Sequence, residues 1–182
     1  MILIVMIILY QIKVVNRDLY GMEYQLLLDN FKKFVLLTPE EEQELLSYTT
    51  ERIFKRGKYI TVDGEINRYI NFIVKGSCRV FYIDNDGHEH IVQLGNSNWW
   101  TGDFTSFITQ HPGMMYTETL EQTELLSFSY DNLQKVYERV PKNGTPFSPT
   151  YSRGLCIFSK KSIADAEYGC RATLSGFPES LS

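Results

Sequence analysis

The chain has 182 residues, 43% of them hydrophobic and 14% aromatic, and a formal net charge of -4. That length suits one domain with an appendage, and the strand-forming composition excludes a disordered chain. The acidic balance, with a pI near 5.4, gives no electrostatic support for a dedicated nucleic-acid binder.

Met1 to Tyr10 is entirely apolar. A spanning helix needs about 20 apolar residues, and Gln11 and Lys13 stop this run early. It lacks the basic lead and small-residue cleavage site of a secretory signal. Residues 1–22 are expected to form an apolar N-terminal extension, with no membrane role and with Met22 as an alternative start. Glu23 to Phe34 then reads as a short amphipathic helix carrying Leu26, Leu27, Phe31 and Phe34. Thr38-Pro39-Glu40-Glu41-Glu42 opens a second helix. Thr38 caps it, Pro39 fits its first position, and Glu41 completes a capping box. That helix is expected to reach about Tyr48 and to bury Leu45 and Leu46.

From Arg52 the pattern changes to strands. Arg52 to Lys55 and Tyr59 to Val62 are split by Arg56-Gly57, and Asp63-Gly64 marks a turn. Tyr69 to Val74 and Ser77 to Asp84 follow, and Asp84-Asn85-Asp86-Gly87 signals a hairpin leading to His90–Leu94. Trp99-Trp100 and the apolar segment Phe104 to Ile108 come next, then strands over Met115–Leu120 and Glu124–Ser129. Asp131 to Val140 reads as a helix with Leu133, Val136, Tyr137 and Val140 on one face, stopped by Pro141. Short strands with frequent turns predict a mainly β sandwich or barrel with flanking helices.

Residues 143–182 lose periodicity and are rich in Gly, Ser and Pro. They are expected to be an irregular tail. Cys78, Cys156 and Cys170 are widely spaced and odd in number, which indicates neither a zinc site nor a disulfide framework. Cys78 is expected to be a small buried hydrophobe in a reducing cytoplasm.

The ordered series from Leu36 to Lys142 resembles the sensor domain of the Crp/Fnr family, the cyclic-AMP receptor protein class of bacterial transcription regulators. The residues that carry it are the Thr38-Pro39-Glu40-Glu41 helix and the turns Lys55-Arg56-Gly57 and Asp63-Gly64-Glu65. Val74-Lys75-Gly76-Ser77, Asp86-Gly87 and Gly102-Asp103 continue it, and the strand Leu125–Ser129 leads into the last helix. The resemblance implies a double-stranded β-helix, or jelly roll, of cyclic-nucleotide-binding type over residues 23–142. By the same resemblance Val80, Val92, Gln93, Gly102 and Asp103 line a ligand pocket.

The family holds the ribose with a Glu after a Gly, and the cyclic phosphate with an Arg about ten residues on. Here Asp103 stands for the Glu, and the Arg position falls near Gly113 or Met114. No Arg or Lys occurs between Arg79 and Lys135. A buried phosphate without a cation is poorly compensated. The implied reading is therefore a non-enzymatic effector sensor for a small molecule other than cyclic AMP itself.

The family continues into a dimerisation helix and a helix-turn-helix that reads DNA. Asn143-Gly144, Pro146 and Pro149 would break a long helix, so residues 143–182 are expected to lack that module and the chain to lack operator binding. A homodimer is possible in the family. Two alternatives are a cupin-like metal site at His88 and His90, and a free-standing interaction domain that dimerises through Asp131–Val140. No metal or cofactor is expected. Adjacent residues in an extended segment point to opposite sides, so one of Trp99 and Trp100 at most can face the pocket.

Overall fold

The computed structural model describes residues 21–33 and 35–139. Most of the apolar extension (residues 1–20), Phe34, and residues 140–182 with the expected irregular tail lie outside the described residues.

Residues 21–31 form helix α1, which turns Leu27, Leu28 and Phe31 into the core. Helix α2 spans Pro39–Ser47. Its capping box is complete, with Thr38 Oγ1 accepting from the Glu41 amide and the Glu41 carboxylate accepting from the Thr38 amide. Leu45 is fully buried, whereas Leu46 is half-buried. Lys32 pairs with the buried Glu42 at 2.6 Å and ties the end of α1 to α2.

Eight strands follow: β1 Thr50–Phe54, β2 Tyr59–Thr61, β3 Tyr69–Lys75, β4 Ser77–Ile83, β5 Glu89–Asn96, β6 Trp99–Thr101, β7 Tyr116–Thr119 and β8 Thr123–Ser129. Helix α3, Phe104–Thr109, sits between β6 and β7, and α4, Tyr130–Arg139, follows β8. The strands make two antiparallel four-stranded sheets in the orders β1-β8-β3-β6 and β2-β7-β4-β5. These non-sequential neighbours build the expected jelly roll.

Alternation along the strands separates two environments. Ile70, Phe72, Leu126 and Phe128 point out of the first sheet onto Leu27, Leu28, Phe31 and Leu45, and Leu133 and Val136 of α4 join them. Trp100 packs in this layer against Phe72 and Phe31. Trp99, its neighbour, is half exposed. The other face of that sheet looks into the roll, where Ile73, Cys78 and Leu125 pack with Phe54 and Ile60. Cys78 is buried as expected, and burial pushes its thiol up to about 11. The apolar face of α4 is thus covered within the domain, and a dimer through that helix would have to use its other side.

Two glycines are required by geometry. Gly76 joins β3 to β4 at φ +94°, and a Cβ there would lie 2.6 Å from the Gln122 carbonyl oxygen. Gly87 takes φ +86° at the β4–β5 hairpin, where Asp84 Oδ1 accepts from the amides of Asp86 and His88.

Candidate functional site

The segment from β6 through α3 to β7 carries two of the five residues implied by the resemblance, Gly102 and Asp103. Asp103 follows the end of β6 by two residues and is the N-cap of α3. Its Oδ1 accepts from the Ser106 amide at 2.9 Å. Its Oδ2 accepts from the amides of Met114 and Met115 at 3.2 and 3.3 Å. The carboxylate therefore closes its own loop, clamping the start of α3 to the start of β7. Burial pushes its pKa above the ordinary carboxylate range, and the backbone amides around it only partly offset this.

The loop is packed tightly around that carboxylate. A Cβ on Gly113 would lie 2.2 Å from Asp103 Oδ2 and 2.9 Å from the Ser106 Cβ. Gly113 is one of the two positions where the resemblance places a phosphate-binding Arg. With Asp103 turned this way, that position has room for hydrogen alone. Gly102, at φ +133°, leaves a Cβ 3.1 Å from Asn67 Nδ2. Asn67 Nδ2 donates to the Asp103 carbonyl, and Ser106 Oγ accepts from the Asn67 amide while donating to the His111 carbonyl. Asn67 and Ser106 thus hold the loop from beneath.

The other three expected pocket residues lie on the second sheet and at its border. Val80 is buried and packs with Met115, Tyr82 and Val92. Gln93 pairs in register with Val80, and a bulge follows, so Val92 stands out of the simple alternation. Gln93 Nε2 donates to the Trp100 carbonyl at 2.8 Å. Val80 meets Asp103 through Met115, with which it packs and whose amide donates to Asp103, and Val92 packs against that cluster. Gly102 and Asp103 adjoin directly, whereas Gln93 is occupied with the β6 backbone.

The first sheet carries a polar row that the sequence reading missed. Ser127, Asn71 and Thr101 are register partners across β8, β3 and β6 and are all fully buried. Ser127 Oγ donates to Asn71 Oδ1 at 2.7 Å. Arg52 of β1 reaches the same oxygen at 3.4 Å. The signal was present: Asn71 interrupts the apolar run Tyr69–Val74, and Ser127 interrupts Leu125-Leu126-Ser127-Phe128. A polar residue at an inward position of a strand needs a partner.

His88 and His90 both lie against the Asp84 carboxylate, His88 Nδ1 at 3.5 Å from Oδ1. His90 stacks on Tyr82 and its Nε2 lies 2.6 Å from Asp84 Oδ2. Among the described residues, the one group spaced to hold a metal is Asp84, Asp86 and His88 at the exposed hairpin tip. The Asp84 oxygens are already taken up by His90 and two turn amides, which hold its pKa down to about 2. Among the described residues, no helix is long and apolar enough to cross a membrane.

This geometry is that of a β-roll of the cyclic nucleotide-binding type. The family model described as the cyclic nucleotide-binding domain matches residues 51–140. That part of the chain is similar to the cyclic nucleotide-binding domain family.

Solved structures agree on the fold. The catabolite activator protein of Thermus thermophilus superposes with a TM-score of 0.55 at 22% identity, over 71% of this chain and 57% of that one. The sensor domain of the transcriptional regulator DNR from Pseudomonas aeruginosa gives 0.58 at 17% identity, over 87% of this chain and 97% of that domain. The c-di-GMP responsive regulator CLP of Xanthomonas campestris gives 0.50 at 19% identity, over 70% of this chain and 60% of that one. The chain thus spans little more than half the length of the Thermus protein, and nearly all of the DNR sensor domain. No curated protein matches the sequence closely enough to count as a relative.

Proposed function

We propose that residues 23–142 are the effector-sensing domain of a Crp/Fnr-like transcription regulator whose ligand is not cyclic AMP, working in the cytoplasm without catalysing a reaction. The observation that carries this reading is the state of Asp103. It occupies the place of the family's ribose-binding Glu, yet both its oxygens are bound to the amides of its own loop. The space beside it, where a phosphate-holding Arg would stand, is closed at Gly113.

A cyclic phosphate placed there would meet a buried carboxylate and no cation. Leaving one buried charge unpaired costs about 3–5 kcal/mol, or two to four decades in affinity. Rolls of this shape serve other effectors, as the c-di-GMP responsive Xanthomonas regulator illustrates. Reading DNA belongs to the regulators as whole proteins. No helix-turn-helix occurs among the described residues of this chain. The pocket is expected to include Val80, Val92 and Gln93, with Gly102 and Asp103 shaping its loop.

The test is a thermal-shift screen of the purified chain against small metabolites, nucleosides and nucleotides, with hits mapped by amide chemical shifts. A hit that moves Val80, Val92 and Gln93 supports the reading. A roll that responds to no compound in any class contradicts it.

A further inference from the structure

Arg52 makes no ion pair among the described residues, whereas Arg79 pairs with both Glu89 and Glu118. Its guanidinium is half-buried and held between two rings, with the Phe54 centroid at 4.8 Å and the Tyr69 centroid at 4.6 Å. Its one polar contact, to Asn71 Oδ1 at 3.4 Å, is long, and that oxygen already accepts from Ser127. A guanidinium carries five donors and stays charged, so most of them are unspent.

The group lies in the wall of a cleft of about 180 Å³ at the end of the roll. Arg68 and Glu65 also line it, so the charged residues around it sum to one net positive charge. On the same sheet, Thr101 pairs in register with Asn71, which Arg52 contacts, and so shares its inward face. Its Oγ1 is buried without any partner, the one such side-chain atom among the described residues. Drug-sized ligands take about 300–1,000 Å³, so this cleft admits only something compact.

We propose that Arg52 is the anchor of a small-anion site in the roll, taking a compact phosphate or carboxylate whose oxygens pair with its fork. This cation stands on β1, on the opposite sheet from the expected pocket residues Val80, Val92 and Gln93. The inference rests on the sensor reading and gives its effector a chemical class. The aromatic clamp positions the fork without consuming its donors, as a bidentate oxyanion site requires.

The experiment uses the full chain, with inorganic phosphate and succinate as probes and sodium chloride at matched ionic strength as the baseline. At least one probe raises the melting temperature above chloride, and Arg52→Gln weakens its binding by about tenfold or more, the loss of one charge-assisted hydrogen bond. Arg52→Lys, which keeps the charge and loses the fork, falls between the two. A titration of the wild type followed by NMR reads the site without mutation. Arg52 and Asn71 side-chain signals move, and those of the Asp84–His88 hairpin do not.

No stabilisation beyond chloride by either probe overturns the proposal, as does equal binding by Arg52→Gln and wild type. Guanosine and cyclic nucleotides are run in parallel. Guanosine bound equally by wild type and Arg52→Gln, with neither anion bound, would overturn the Arg52 site and leave the sensor reading standing, whereas micromolar binding of a cyclic nucleotide would overturn the sensor reading itself.

Discussion

Asp103→Ala separates a carboxylate that builds the loop from one held ready for a ligand. The substitution leaves the amides of Ser106, Met114 and Met115 without their acceptor. Losing an N-cap costs about 0.5–2 kcal/mol. The two longer bonds at 3.2 and 3.3 Å add roughly 1 kcal/mol each once their donors are left buried. Removing the buried carboxylate returns about 1 kcal/mol of desolvation. The net loss is about 2 kcal/mol, which lowers the melting temperature of a domain this size by about 10 °C. Urea unfolding followed by tryptophan fluorescence and by far-UV circular dichroism reads the same difference. An unchanged or raised melting temperature would refute the reasoning, because it would mean that the carboxylate is strained in place and serves something other than the fold.

Gly113→Ala places a Cβ 2.2 Å from Asp103 Oδ2 and is expected to cost about 1–3 kcal/mol by overpacking. In an Asp103→Ala background that cost shrinks by about 1 kcal/mol or more, a coupling that a double-mutant cycle measures. Gly76→Ala combines a positive φ with a Cβ 2.6 Å from a backbone oxygen and is expected to cost at least about 2 kcal/mol, read as a shift in urea midpoint. Asp103 also sets a pH slope. Folding raises its pKa, so its stability term is full below the ordinary carboxylate range and is lost as pH rises through the folded value. Wild type therefore loses stability relative to Asp103→Asn as pH is raised from about 4, measured by urea unfolding at several pH values; a flat difference would contradict the assigned burial. Asp84, held down to about 2, acts with the opposite sign, and its term is lost only as pH falls toward that value.

The fold was legible because local signals and tertiary packing agree. Thr38, Pro39 and Glu41 state a helix start in side-chain chemistry alone, and the box forms as written. Gly76 and Gly87 mark places where only a positive φ closes the chain. The inward–outward alternation of β3 also followed from the sequence, but Asn71 broke it with a meaning that only the neighbouring strands supply. Ser127 and Thr101 become its partners through a sheet order that places β8 and β6 on either side of β3. Arg52 was hidden for the same reason, since a charged residue at the start of a strand reads as solvated until Phe54 and Tyr69 close over it.

For the candidate site, sequence reasoning named Gly102 and Asp103 by resemblance and noted that no Arg or Lys occurs between Arg79 and Lys135. It did not foresee that Asp103 would turn back onto Met114 and Met115. That choice depends on loop length and on Gly113 being small enough to admit the carboxylate.

The central claim is that this roll keeps the sensor scaffold without the anchor for a cyclic phosphate. Isothermal titration of the purified chain with cyclic AMP and cyclic GMP tests it most directly. The account predicts no binding at micromolar concentrations of either nucleotide. A dissociation constant in the micromolar range or tighter, for either one, would contradict it.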